Sequence, residues 1–345
     1  MLNEVKSASG GKEANQTTGA MEAPKKSKLW LWIVLLLIVA AVAVAFVLRD
    51  KKTADKDTTE TTKSENSTTS KETAKWKEGG VAIAGKYADA EVVDLGNGNY
   101  RIYYSAEPET PNFNGQIYTA TSTDGVTWTA GVEIKQGATF PDVVKLPDNR
   151  WRMYYQQNQV IKSAISADGL SFTDEPGTRI DKTETGFTID NMAASSTALL
   201  SDGTFLMVYR GLINVLYSTT EKLPNQTTQL FFYATSTDGL TWQKKGLALD
   251  SRNETLLGFS DGAELVQWDD DKIRLYFWSY KGVYHTTYEN GLFVSTPTFD
   301  FTNSTNPNVA FSENPPGDPT LMKINNIWYM YYGQHTKGIY YATLQ

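Results

Sequence analysis

Six carboxylates, Asp89, Glu91, Asp142, Asp261, Glu264 and Asp318, stand at or just before short apolar runs that recur along the chain. The runs align as Asp89-Ala-Glu91-Val-Val, Phe140-Pro-Asp142-Val-Val, Ser195-Ser-Thr-Ala-Leu, Gly262-Ala-Glu264-Leu-Val and Asp318-Pro-Thr320-Leu-Met. Strand periodicity of two puts Asp89 and Glu91 on one face, with Asp142, Glu264 and Asp318 in matching columns. Several carboxylates held together are unfavourable unless they are solvated, protonated or bound to a cation. Cleavage of a glycosidic bond uses such a set, a protonated acid on one side of the sugar and a carboxylate on the other. Solvated strand starts, or a structural Ca²⁺ in a central channel, are the alternatives.

Other residues fall near the same place. Asp190, like Asp261, precedes its strand, and Glu107, Arg210, Lys281 and His335 follow strand ends on the same side. Arg210 suits a bidentate grip on an anionic group, and Trp278, ending its strand, offers a ring for a sugar to stack on. His335, one of only two histidines, is a loop residue on that side, either solvated or within reach of an ion in the channel. With no cysteine, disulfides, thiolate catalysis and cysteine-based zinc sites are excluded.

The elements that must position these residues are written five times. Asn99–Ser105 (NYRIYYS), Arg150–Gln156 (RWRMYYQ), Thr204–Arg210 (TFLMVYR), Lys272–Trp278 (KIRLYFW) and Ile327–Gly333 (IWYMYYG) are aromatic second strands. Tight hairpins follow in Ser122-Thr-Asp124-Gly125-Val-Thr-Trp128, Ser166-Ala-Asp168-Gly169-Leu-Ser-Phe172 and Ser236-Thr-Asp238-Gly239-Leu-Thr-Trp242, with a weaker version at Glu289–Phe293. Recurrence at every outer corner makes these aspartates turn builders rather than ligands, each aromatic pinning its hairpin down. Five all-strand units of roughly 50–70 residues predict an all-β, five-bladed propeller of four-stranded blades over 76–345. Trp76–Ile83 has the pattern of a fourth strand without a preceding hairpin, and Ile339–Gln345 is a third strand without a fourth. Val81–Ile83 is therefore expected to complete the last blade and close the ring. The segment Gly211–Gln229 is the largest insertion and is expected to wall one side of the site.

Ahead of the propeller the composition changes. Leu29–Leu48 is twenty apolar residues without a charge, flanked by Lys25, Lys26 and Lys28 before and Arg49, Lys51 and Lys52 after. That length spans about 30 Å of hydrocarbon, and it reads as a single transmembrane helix rather than a cleaved signal. Residues 1–28 read as a disordered tail. Residues 49–75, rich in Thr, Ser and Lys, have too little apolar surface to fold and read as a stalk. An anchor and stalk of this kind place the propeller outside the cytoplasmic membrane. A net charge of −7 with no basic stripe excludes nucleic acid as a partner.

The S-x-D-G-x-[TS]-[WF] hairpins and five repeats resemble the five-bladed propellers of the glycoside hydrolase superfamily that includes arabinanases, β-xylosidases, invertase-like enzymes and mannoside phosphorylases. The hairpins are also similar to the Asp boxes of sialidases, which carry one more residue between Asp and Gly. The resemblance covers about Trp76 to Gln345. It implies an inverting, carbohydrate-cleaving enzyme with Asp89 as base and Asp142 as the orienting carboxylate. The family's third-blade glutamate is missing: Asp190-Asn191-Met-Ala-Ala-Ser-Ser stands there, leaving Glu264 or Asp261 as substitutes for the acid. Glu91, Glu107, Asp190, Arg210, Trp278, Lys281, Asp318 and His335 are expected to bind substrate. No cofactor is required, and the propeller is expected to be a monomer. The alternative is a carbohydrate-binding or surface-interaction propeller without catalysis.

Overall fold

The computed structural model describes residues 75–215, 217, 227–303 and 315–345, and every strand described belongs to a compact unit beginning at Lys71. The expected membrane helix, tail and most of the stalk lie outside these residues, as does the centre of the Gly211–Gln229 insertion. Among the described residues no helix is long and apolar enough to cross a membrane.

The fold is an all-β, five-bladed propeller. Strand β1 (Trp76–Ala84) comes first in the chain but last in the ring. Blade one is β2 (Tyr87–Gly96), β3 (Asn99–Ala106), β4 (Gln116–Ser122) and β5 (Val132–Gln136). Blade two is β6 (Thr139–Lys145), β7 (Trp151–Gln157), β8 (Val160–Ser166) and the two-residue β9 (Thr173–Asp174). A small hairpin, β10 (Thr183–Glu184) and β11 (Phe187–Thr188), leads to blade three: β12 (Asn191–Leu199), β13 (Phe205–Ile213), β14 (Thr228–Ser236) and β15 (Gln243–Leu249). Blade four is β16 (Asp261–Gln267), β17 (Ile273–Ser279) and β18 (Gly282–Glu289), with an outer strand split into β19 (Leu292–Phe293) and β20 (Thr298–Phe301). Pro297 sits in the gap, where a residue without an N–H cannot continue the ladder. Blade five is β21 (Gly317–Ile324), β22 (Ile327–Gln334) and β23 (Gly338–Leu344), completed by β1. Trp76 pairs with Leu344, Val81 with Tyr340 and Ile83 with Ile339, so the N-terminal strand closes the ring as its sequence predicts.

Blades hold to one another through five apolar clusters, one per interface. Val93, Tyr103, Val143 and Met153 pack between blades one and two, and Ile83, Val92, Ile102 and Tyr331 close the ring between blades five and one. The repeated tyrosines of the second strands lie in these seams: Tyr103, Tyr104, Tyr154, Tyr155, Tyr209, Tyr276 and Tyr331 are fully buried. Three of them also donate to the neighbouring hairpin: Tyr103 Oη to Gly169 O (2.6 Å), Tyr154 Oη to Gly239 O (2.7 Å) and Tyr331 Oη to Gly125 O (2.7 Å). The hairpin aromatics meet the same tyrosines edge-on, Trp128 on Tyr331 at 5.8 Å and Trp242 on Tyr154 at 5.7 Å. Blade three has Val208 at this strand position, and there Tyr233 of β14 reaches Gly291 O instead, at 3.2 Å.

Inside each hairpin the aspartate builds the turn, as its repetition suggests. Asp168 Oδ1 accepts from Leu170 N and Ser171 N (both 2.8 Å) while Ser166 Oγ accepts from Gly169 N, and the pattern repeats at Asp124 and Asp238. These bonds stabilise the charged form, holding Asp124 and Asp238 down to about 2. Trp268 stacks on Trp328 with centroids 4.4 Å apart.

Candidate active site

All five inner strands break register at the same point, where they enter the hub. The ladder skips between Ala88 and Glu91, Thr139 and Asp142, Ala193 and Ser196, Asp261 and Glu264, and Gly317 and Thr320. One residue in each break is left-handed: Asp89 (φ 53°), Phe140 (53°), Ala194 (48°), Gly262 (62°) and Asp318 (44°). Such bulges bend a strand and re-aim its side chains. The five left-handed residues and their successors line one narrow funnel of about 20 Å³ at the hub. That is room for a water molecule at the floor of the site, so a larger ligand would sit over its mouth. Blade three aligns one residue earlier than its sequence suggests, with Ala194, Ser195 and Ser196 in the positions of Asp89, Ala90 and Glu91. A left-handed alanine carries no mark in the sequence, which is why the register was misread there.

The bulges sort the carboxylates into two tiers. The upper tier, at the mouth, is Asp89, Asp318 and Asp261. Asp318 Oδ1 accepts from Trp278 Nε1 at 3.1 Å, and Asp261 is ion-paired with buried Arg210 and accepts from its own neighbour, Gly262 N, at 2.9 Å. Arg210 also lies over the Phe140 ring, 5.5 Å from its centroid, and among the described residues its Nε has no partner. Gly262 makes this tier possible. A Cβ there would stand 2.5 Å from Asp318 Cα and 2.9 Å from Trp278 Cδ1.

The lower tier is Glu91, Asp142 and Glu264, with Ser196 and Thr320 completing the ring of five. Asp142 is 2% exposed and accepts from Thr197 N (3.1 Å) and Thr197 Oγ1 (2.8 Å). Glu264 Oε1 accepts from Thr320 Oγ1 (3.1 Å) and Leu321 N (3.2 Å), and its Oε2 from Ser196 Oγ (3.3 Å). Glu91 lies beside Glu264 and Asp142, and their repulsion adds to burial in favouring its protonated form.

Burial sets the proton affinities of Asp89, Asp318 and the lower tier. Desolvation pushes Asp89 up to about 7, with Asp261 adding repulsion and the Ser105 hydroxyl and Arg210 opposing. Asp318 is raised well above the carboxylate range by desolvation, then by Asp89 and Asp261. Desolvation lifts Asp142 to about 6 and Glu264 to about 8, and Glu91 rises with Glu264 and Asp142 beside it. Asp89, Glu91 and Asp318 retain a thread of solvent through the funnel while packed on all sides by protein. A partly wet, tightly enclosed carboxyl of this kind can exchange protons with a bound molecule.

A second cavity joins the funnel at Asp318. Ala88, Glu107, Pro108, Trp278, Gly317 and His335 are among the residues lining it. Glu107 is buried, accepts from Thr336 N at 2.7 Å, and is raised by desolvation. Its neighbour Glu109 was not singled out in the sequence. Glu107, Glu109 and His335 bring ligand atoms within 4.8 Å of one another, the spacing a cation would need. Among the described residues this trio, rather than the channel carboxylates, has that spacing. The signal available was the Glu107-x-Glu109 pair, whose meeting with His335 depends on ring closure.

Two expected residues stand elsewhere. Lys281 is exposed and lines a separate cleft with Thr255, Tyr284, Pro297, Phe299 and Thr302, because the β17–β18 turn leans away from the hub. Asp190 accepts from Asn214 N at 2.8 Å, fastening the start of β12 to the end of β13, and does not line the funnel.

No protein-family model and no curated protein matches the chain. Solved structures do. One is described as belonging to the GH130 family of mannoside phosphorylases, which contains glycoside hydrolases that target β-1,2 mannosidic linkages in Candida mannan. It has 12% identity and a TM-score of 0.56, over 78% of this chain and 93% of that one. A thermostable family-43 glycoside hydrolase matches at 14% identity and TM-score 0.52, over 78% and 91%. A glycosyl hydrolase from Bacteroides ovatus matches at 15% and 0.51, over 77% and 85%. The resemblance read from the hairpins therefore holds for the fold: this chain shares the five-bladed propeller of glycoside hydrolases.

Proposed function

We propose that the chain is a membrane-anchored, extracytoplasmic glycoside hydrolase that cleaves with inversion. The observation that carries this reading is the funnel itself. Asp89 and Asp318 occupy equivalent left-handed positions on the adjacent inner strands β2 and β21, and both open on it with raised proton affinity. Asp89 acts as the base. A carboxylate near 7 is matched to taking a proton from water at neutral pH. Asp142, locked by Thr197 beneath the mouth, orients the site through the hub rather than by touching substrate. Trp278 and Arg210 supply a stacking face and a cation. Anchoring rests on the apolar run 29–48 and the polar stretch after it.

The test uses the full chain in detergent micelles, with p-nitrophenyl β-D-mannoside, β-D-xyloside and α-L-arabinofuranoside, β-1,2-mannobiose, arabinan and xylan. Turnover that falls by ~10²-fold or more in Asp89→Asn is expected, with the first-formed sugar of inverted anomeric configuration by proton NMR. Binding without turnover in the unaltered chain would replace hydrolysis by glycan recognition, a reading that the acid-free third blade would then explain. Release of the chain from membranes by alkaline carbonate would refute the anchor.

A further inference from the structure

Proton donation needs a group that reaches both a sugar seated over the mouth of the funnel and the oxygen departing beside it. Among the described residues only Asp318 lines both cavities. The funnel holds Asp89 and Asp318; the adjoining cavity, bounded by Trp278, Glu107 and His335, holds Asp318 without Asp89. The carboxyl is fixed where the two spaces meet. Its Oδ1 accepts from Trp278 Nε1, its Cα packs against Gly262, and among the described residues no hydrogen bond engages Oδ2. The other acidic candidates are engaged elsewhere: Asp261 by Arg210, and Glu264 by Thr320, Leu321 and Ser196.

From this geometry we infer that Asp318 is the general acid, supplied by blade five, and that the leaving group departs through the cavity between Trp278 and His335. This rests on the hydrolase reading above. In the step, the oxygen of water bonds to the anomeric carbon as the bond from that carbon to the leaving oxygen breaks. Asp89 takes the water's proton, and the proton on Asp318 passes to the leaving oxygen. Solvent then returns both carboxyls to their starting states. The charged groups facing Asp318 are Asp89 of β2, Asp261 of β16 and Arg210 of β13, with Glu107 and His335 across the outer cavity. Burial first, and then the two aspartates, favour the proton on Asp318, and Trp278 and Arg210 moderate that effect.

An acid is dispensable when the leaving group departs readily as an anion. The full chain in micelles is therefore compared on whichever p-nitrophenyl glycoside above it cleaves best and on its 2,4-dinitrophenyl analogue. Asp318→Asn is expected to lose ~10²-fold or more on the p-nitrophenyl substrate and less than ~10-fold on the dinitrophenyl one. The alkaline limb of its kcat/KM profile should disappear. Asp89→Asn should lose activity on both. Trp278→Phe, which keeps the ring but removes the N–H that favours ionised Asp318, should move the alkaline limb to higher pH. Equal losses of Asp318→Asn on both substrates, or an alkaline limb unmoved by Trp278→Phe in a folded protein, would overturn the assignment while leaving hydrolysis standing. Absence of turnover of every glycoside by the unaltered chain refutes hydrolysis and this assignment with it.

Discussion

Gly262 offers a quantitative test of how tightly the hub is built. Its φ of +62° is left-handed, and an added Cβ would lie 2.5 Å from Asp318 Cα, 2.6 Å from Asp318 Oδ1 and 2.9 Å from Trp278 Cδ1. Replacement by alanine carries two costs. The left-handed conformation costs an L-residue about 1–2 kcal/mol, and forcing a methyl into a packed site costs about 1–3 kcal/mol more. The Asp318 Cα cannot swing aside as a long side chain would, so the second cost should be felt in full. Gly203 isolates the first cost, because its φ is +83° and nothing lies within 4 Å of its Cβ position. Guanidinium melts followed by tryptophan fluorescence should place Gly262→Ala about 1–3 kcal/mol below Gly203→Ala. The alkaline limb of activity should shift only in Gly262→Ala, because that methyl displaces the Trp278–Asp318 pair. Equal melting midpoints for the two variants would refute the close approach at the hub.

Two further outcomes are expected. Asp89, Asp142 and Glu264 hold protons up to about 7, 6 and 8 in the fold, against 3.8, 3.8 and 4.5 for unburied groups, so unfolding releases protons across that window. Stability should therefore be greatest, so far as these groups decide it, below about pH 4 and fall as pH rises toward 8. In Glu264→Gln, which still accepts from Thr320 and Leu321, thermal melts should show a shallower fall; a slope parallel to the parent's would contradict buried neutral carboxyls. Tyr154→Phe deletes the bond to Gly239 O at a fully buried site and should cost about 1–3 kcal/mol by denaturant titration, whereas no change would mean that the hairpin carbonyl is satisfied by water.

The blades were legible because their packing requires large residues at fixed places. Tyr103, Tyr154 and Tyr331 must fill a seam and reach a carbonyl at once, and Asp-Gly must turn each hairpin, so both leave a period in the sequence. The closure by Val81–Ile83 was legible for the same reason. The hub was read less well. Its geometry comes from five left-handed bulges, four of them at Asp, Phe and Ala rather than glycine, and nothing in those residue types announces a bulge. Blade three consequently slipped by one residue. The tiering of Asp89 and Asp318 above Glu91, Asp142 and Glu264 also depends on how five strands converge, which no single repeat encodes. Lys281 was misplaced because its position after a strand end fixes a turn but not the direction in which the turn leans.

The pairing of β1 with β23 makes the propeller a clasp with a delay built in. During synthesis Trp76 emerges long before its partner Leu344, and at about 5–20 residues per second the first strand waits on the order of tens of seconds. Until then blade five is missing its outer strand and the seam between blades five and one stands open. Blades one to four can pack locally, but the funnel is bounded by both Asp89 and Asp318, so it exists only after the last strands arrive. The hub is thus assembled by its last strands: a growing chain carries the acidic residues without the chamber that encloses them.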